Sequence, residues 1–333
     1  MNWNQKPVIR TLGMLLGCAV VACSQLGSTS IRAEETAPRQ WAIVREPKLI
    51  EGSGIAPALS SSQPAFWILN DGAGILRIYA INSTGQRCGL LEVPDSQTVD
   101  TEDLASFSLG NMTFLLAADT GNNDLDRPTA RLFLLPEPTL EHDFSSGETA
   151  GKQPSDQKFS VKPLLAWDIA YPDAPRNVEA LGVDPVQRKI LLVSKEKKDA
   201  PATVYQTDLP INEQGKLTAD WINSATTPRT FEKLGRINVP TVLGMTMNPT
   251  GDTAVLLGKS AVTIIRRDKN QTWADAFTRP GIKLDIPRQK KGESICFGPV
   301  VAAHNGPQSL FLHSEGTDQP IWEIPWPTIV TPK

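Results

Sequence analysis

Imidazole and thiol groups are scarce in this chain, whose 333 residues include three His, four Cys and three Tyr. Zinc centres and His-driven catalysis draw on these residues, so both lack material. No apolar run reaches the roughly 18–20 residues that span a bilayer as a helix. Bases do not outnumber acids either, at 33 Lys+Arg against 36 Asp+Glu. Lys6, Arg10 and Arg32 all precede the first acid, Glu34, so the remainder is more acidic than the formal charge of −3. Such a surface repels phosphate backbones and argues against nucleic acid as a partner. What is plentiful is punctuation, 27 Pro and 24 Gly, in a chain that is 40% hydrophobic and 21% charged, the composition of a globular protein with a sizeable core.

The N-terminus reads as an export signal. Lys6 and Arg10 precede an uncharged apolar stretch at 11–22, long enough for a signal core and too short to cross a membrane. Val20-Val21-Ala22-Cys23-Ser24 has the form of a lipobox, so residues 1–22 are expected to be removed and Cys23 acylated, with 23–40 as a polar tether and 41–333 as the folded domain. Plain cleavage after Ala22 or near Ala33 is the alternative, giving a secreted rather than an envelope-anchored periplasmic or outer-membrane protein. Cys88 and Cys296 remain; Cys296 sits in an apolar run and reads as a buried core thiol.

Short β-rich runs recur between Pro, Gly, Asn and Asp clusters, without helical periodicity. Five related units start at Glu51, Glu102, Glu179, Leu243 and Glu293. In each a small-residue strand is followed by a second (FWILND, FLLAAD, ILLVSKE, AVLLGK, LFLHSE) and a third (LRIYAI, ARLFLLP, ATVYQTD, AVTIIRR, PIWEIP). A fourth precedes each unit: WAIVR, LLEVP, LLAWDI, LGRINVP and IKLDIP. Four antiparallel strands repeating at about fifty residues, with polar insertions at 141–160 and 211–230, predict an all-β propeller of five four-stranded blades. The N-terminal WAIVR strand is left to complete the last blade, and a degenerate sixth blade within 205–240 is the alternative count. The ring is expected to be monomeric.

In a blade the end of the second strand lies beside the start of the first. Glu51 with Asp71, Glu102 with Asp119, Glu179 with Glu196, and Glu293 with Glu315 mark those two positions in four units, while unit four carries Leu243 and Lys259. This predicts carboxylates crowded at one mouth of the central channel, with Asn70, Asp103, Asn122, Asn123, Arg176 and Lys195 beside them. Clustered carboxylates must be protonated, paired or metal-bound. An oxygen-rich set suits Ca²⁺ or Mg²⁺, with Glu102, Asp119, Glu179 and Glu293 as candidate ligands. The bland alternative is that these acids hydrogen-bond to strand-end amides and staple blade to blade. The loop Asp119-Thr-Gly-Asn-Asn-Asp-Leu-Asp-Arg127 lacks the middle Gly and closing Glu of an EF-hand.

The blocks EGSGIA, WILNDGAG, TEDLAS, AADTGNNDLDR, RNVEALGVDP and KKGESICFG, in this order and spacing across about residues 45–325, resemble a family of secreted bacterial β-propeller proteins, mostly uncharacterised. Its loose relatives include phytase-like and esterase-like propellers. The resemblance implies an acid-rimmed channel and, through the phytase-like relatives, metal-assisted work on phosphate or ester substrates. Glu51, Asp71, Glu102, Asp103, Asp119, Asn123, Glu179, Lys195, Glu293 and Glu315 occupy its blocks; the Leu before Asn70 and Leu243 depart from it.

His142 and His304 read as surface residues. His313, two residues before Glu315, is expected to share its face and to be a candidate base. Gly52-Ser53-Gly54 lacks the strand-turn-helix setting of a nucleophile elbow. With no nucleophile and base in evidence, the sequence points to an exported propeller that binds a small ligand or divalent metal. A Ca/Mg-dependent hydrolase of phosphate or other esters is the alternative, and a lactonase-like activity comes third.

Overall fold

A strand of a repeat unit cannot bury both faces by itself, so each blade must be covered by its neighbours. The computed structural model, which describes residues 30–31, 37–141, 156–197, 200–223, 227–299, 309–327 and 329–330, shows this arrangement. Blade 1 runs outward from the channel as Gly52–Pro57, Ala65–Asn70, Gly74–Asn82 and Arg87–Thr98. Blade 2 is Asp103–Leu109, Met112–Asp119, Ala130–Pro136 and Leu165–Ala170; blade 3 is Val178–Asp184, Lys189–Ser194, Ala202–Asp208 and Glu232–Ile237. Blade 4 is Gly244–Met247, Thr253–Leu257, Ala261–Arg266 and Ile282–Asp285. Blade 5 is Gly292–Phe297, Leu310–Ser314 and Pro320–Ile324, completed by Arg39–Ile43 from the N-terminal side. The innermost strands touch in the cyclic order of the blades, blade 5 meeting blade 1, so the protein is a five-bladed β-propeller.

Its core is five slabs, one at each blade interface. Trp67, Leu115 and Phe133 pack between blades 1 and 2, Phe114, Trp167 and Tyr205 between 2 and 3, and Val204, Leu256 and Trp273 between 3 and 4. Val255, Ile295 and Leu312 fill the next interface, and Ile55, Phe66 and Phe311 the last. Because a middle strand is sandwiched between two slabs, every residue of Ala65–Leu69 is buried, which is why these strands read as continuous apolar runs rather than alternating ones.

The segment 205–240 forms no sixth blade. It supplies the third and fourth strands of blade 3, and the helix Ala219–Asn223 between them sets Trp221 edge-on against Trp167 at 5.3 Å. Both polar insertions end in an additional strand that joins a blade edge in parallel, Gln157–Ser160 on blade 1 and Arg229–Thr230 on blade 2. These cover edges that would otherwise stand open. At the closing seam, Gly85 has φ 81° and the Arg45 amide donates to its carbonyl at 2.7 Å. A β-carbon there would lie 1.8 Å from the Ile43 carbonyl oxygen, so only glycine fits. Outside the ring, Ser30–Ile31 pairs with Ile329–Val330. Cys88 and Cys296 are free and buried. Among the described residues no helix is long and apolar enough to cross a membrane. The signal, Cys18, Cys23, His142 and His304 lie outside the described residues.

Candidate functional site

The register sets the end of each second strand beside the start of the first. The Asp71 amide donates to the Glu51 carbonyl at 2.6 Å, Glu102 to Ala118 at 2.9 Å, Lys195 to Asn177 at 2.9 Å, and Glu315 to Lys291 at 3.0 Å. Leu243 and Leu257 make the same contact in blade 4. One mouth of the channel therefore collects the strand-end acids of four blades.

Several of them are committed to the architecture. Asp119 is buried, accepts the Val99 and Asp100 amides at 3.1 and 2.8 Å, and pairs with Arg127 at 3.2 Å. Asn122 accepts the Asp126 and Arg127 amides, which folds that loop on itself, and its own amide donates to Asn177 Oδ1 at 2.7 Å. Asn123, exposed, accepts from Asn177 Nδ2 at 3.2 Å. Asn70 Oδ1 accepts the Ile50 and Glu51 amides. Asp71 accepts the Thr101 amide at 2.7 Å, linking blades 1 and 2; burial pushes its carboxyl up, against that bond and one from Gly72.

Two expected rim residues lie elsewhere. Asp103 is wholly buried below the mouth, where its carboxylate accepts the amides of Leu104, Leu181 and Met245 at 2.8, 2.7 and 3.2 Å. Adjacent strand residues point to opposite sides, so with Glu102 at the mouth Asp103 turns inward. His313 is buried between blades 5 and 1, against Gly52, with neither ring nitrogen hydrogen-bonded among the described residues. Burial pushes it down to about 4, and it parts from Glu315 because the strand ends at Ser314. On the outer part of the mouth, Arg176 pairs with Asp173 at 2.7 Å and with Glu196 at 3.6 Å, and Glu315 with Lys291 at 2.8 Å. Glu51 is exposed, as is Lys259, which makes no hydrogen bond or ion pair among the described residues.

The inner mouth holds one paired carboxylate and two without such partners. Glu179 is tied to Lys195 at 2.7 Å and to Asn177 at 3.0 Å. Glu102 has no hydrogen bond or ion pair from its carboxyl among the described residues, nor has Asp100. The two converge on Gly121: a β-carbon there would lie 2.3 Å from Asp100 Oδ2 and 2.3 Å from Glu102 Oε1. With no side chain, the glycine leaves room for both carboxyls.

Burial, then the charges of Glu179, Asp100 and Asp71, hold Glu102 far above the usual carboxylate range. Asp100 is pushed up to about 6, by burial and then by Asp71 and Glu179. Glu293 reaches about 7 through burial and the charges of Glu179 and Glu315, against Lys195 and Lys291. Burial works against the charged form of Lys195, but Glu179, Glu293 and Glu102 outweigh it.

Asp100, Arg127 and Asn177 were not among the residues expected here. The acid triplet in VDTED was the one visible signal for Asp100. Among the described residues, no three His, Cys, Asp or Glu side chains are grouped as a ready metal site. Of the four candidate ligands, Asp119 is taken by Arg127 and Glu179 by Lys195, leaving Glu102, which stands beside Asp100, and Glu293, whose charged neighbours are Lys195, Glu179, Glu315 and Lys291.

No protein-family profile matches the chain, and no curated protein matches its sequence. Solved structures similar to it include the nidogen/laminin complex, at 10% identity and TM-score 0.40, covering 79% of this chain and 72% of that one. The Dos1 propeller matches at 10% and 0.34, covering 81% and 58%. A Trichoderma reesei carbohydrate-active enzyme of family AA12 matches at 10% and 0.42, covering 89% and 97%. The propeller assignment itself rests on the strand order and the closed ring of innermost strands.

Proposed function

We propose that this propeller binds a cationic ligand at its acidic mouth. The observation that carries the reading is the Asp100–Glu102 pair, two carboxyls that converge on Gly121 with no hydrogen bond or ion pair among the described residues, Lys195 and Arg127 acting on them only through their charge. Burial and the repulsion of neighbouring carboxylates push both carboxyls up, and a bound cation would take the place of a proton between them. The donors are all oxygens, which fits a hard ion such as Ca²⁺ or Mg²⁺ bridged by Asp100 and Glu102, with water completing its shell; an organic cation is the other source of the same charge.

Calorimetry with CaCl₂, MgCl₂ and spermidine at pH 7.5 distinguishes them. The expected result is a saturable heat whose size depends on the buffer, because protons are released, and which weakens at least tenfold in Glu102→Gln. Absence of heat with all three sinks the reading.

A second reading, a metal-dependent phosphoester or carboxyl-ester hydrolase as in phytase-like propellers, is favoured by one observation. The Glu293 carboxyl at about 7 can exchange a proton near neutrality. His313 offers no help, since it is sealed from solvent. Turnover of phosphoesters, carboxyl esters or lactones with Ca²⁺ or Mg²⁺ present, abolished by Glu293→Gln, is the outcome this reading requires. Lactone turnover alone would favour the lactonase-like activity.

Export and a lipid anchor on Cys23 complete the proposal, supported by the apolar stretch at 11–22 and the small residues before that Cys. Cys23→Ser is expected to move the protein from the membrane to the soluble fraction.

A further inference from the structure

The channel has a second compartment at the end remote from the acids, a cavity of about 650 Å³. Every blade contributes to its wall, through Ile55, Leu104, Leu181, Met245 and Phe297 among others. Asp103 stands between the two compartments. The residues whose amides it accepts, Leu104, Leu181 and Met245, are themselves part of the cavity wall. Among the described residues, no Asp, Glu, Lys, Arg or His contributes to the lining, in a protein whose opposite mouth is crowded with charge.

Two physical properties define what such a space accepts. An ion entering it would lose its hydration and meet no opposite charge, a penalty of several kcal/mol or more. The innermost strands, however, have a partner strand on one side only, so their free edges present backbone N–H and C=O groups to the channel. Hydrogen bonds are therefore on offer without net charge. Met245 and Met247 supply unbranched, adaptable side chains, and Gln63 and Asn248 polar groups at the entrance. The volume lies within the range of small-molecule pockets, about 300–1,000 Å³.

We propose that this cavity binds an uncharged, mostly apolar small molecule carrying one or a few neutral hydrogen-bonding groups. The site is separate from the acidic mouth and does not rest on the cation reading.

The test is a fluorescence titration of the full chain with N-phenyl-1-naphthylamine, a neutral apolar probe. A saturable component of one probe per chain is expected. Ala105 and Met247 both line the cavity and are half-buried. Ala105→Trp fills the space and Met247→Glu introduces a charge, and each should weaken that component at least tenfold with the circular dichroism spectrum unchanged. If Ala105→Trp does not fold, Met247→Glu decides. Glu102→Gln, at the other mouth, should leave the titration as it is. The proposal is overturned if no saturable component is seen, if it persists in the folded cavity variants, or if it disappears in Glu102→Gln.

Discussion

Asp103 accepts the Leu181 amide at 2.7 Å, a bond from the innermost strand of blade 2 to that of blade 3 made where no solvent reaches. The Met245 amide of blade 4 donates to the same oxygen at 3.2 Å, so one side chain ties three blades together. Asp103→Ala would strand three buried amides, each costing about 1–3 kcal/mol when unsatisfied. Urea unfolding should show a loss of about 3 kcal/mol or more. Asp103→Asn, which keeps one carbonyl acceptor, should lose less.

Lys195 and Glu179 form a largely buried ion pair of the mouth, with the glutamate side chain 5% and the lysine side chain 29% exposed. Removing the cation leaves an enclosed carboxylate beside Asp71. Lys195→Met is expected to destabilise by about 3 kcal/mol at pH 8, as breaking buried pairs does. The deficit should shrink at pH 5, where Glu179 can take up a proton instead. Unfolding curves at the two pH values check both parts.

The raised carboxyls give the mouth its own pH signature. Glu293 at about 7 and Asp100 at about 6 stay protonated in the folded state where an unfolded chain has already released those protons. The folded state thus binds more protons between the ordinary carboxylate value and these, and stability falls as pH rises through the window. Thermal unfolding should occur at lower temperature at pH 8 than at pH 6. Glu293→Gln, neutral throughout, should reduce that difference, whereas an unchanged pH profile would show the mouth to be better solvated than its geometry implies.

His313 works in the opposite direction. Its folded value near 4 lies below the ordinary 6.5, so the unfolded chain binds the extra proton and stability is lost as pH falls from about 6.5 towards 4. Among the described residues both ring nitrogens lack partners, and replacing an unsatisfied buried polar group by an apolar one of similar size is neutral or stabilising. His313→Leu should therefore unfold at or slightly above the parent temperature at pH 7 and resist acid better at pH 4.5.

How far the sequence discloses this molecule depends on the length scale. Runs such as FWILND and FLLAAD identify the middle strands because two slabs bury both of their faces, a demand the apolar content satisfies visibly. The short outer strands Gln157–Ser160 and Arg229–Thr230 carry no such signal, being polar and recruited by an existing edge. At the mouth, strand arithmetic brings Glu102 and Glu179 together, yet it cannot say which of the neighbours Glu102 and Asp103 turns inward. Nor does Gly121 announce that it makes room for two carboxyls, since that closeness arises between loops about twenty residues apart.

The ladder between Arg39–Ile43 and Pro320–Ile324 has a consequence for how the chain is made. Four blades can assemble in order as the chain lengthens, but the fifth needs its earliest strand and one of its last, so it cannot close before residue 324 has been synthesised. Until then the Arg39–Ile43 strand has no partner, and the apolar faces of blades 1 and 4 stand uncovered. The interval before closure is when this chain is most open to aggregation and proteolysis, and ring closure, which pairs Arg39 with Glu323 across 284 positions of sequence, is expected to set the pace of folding.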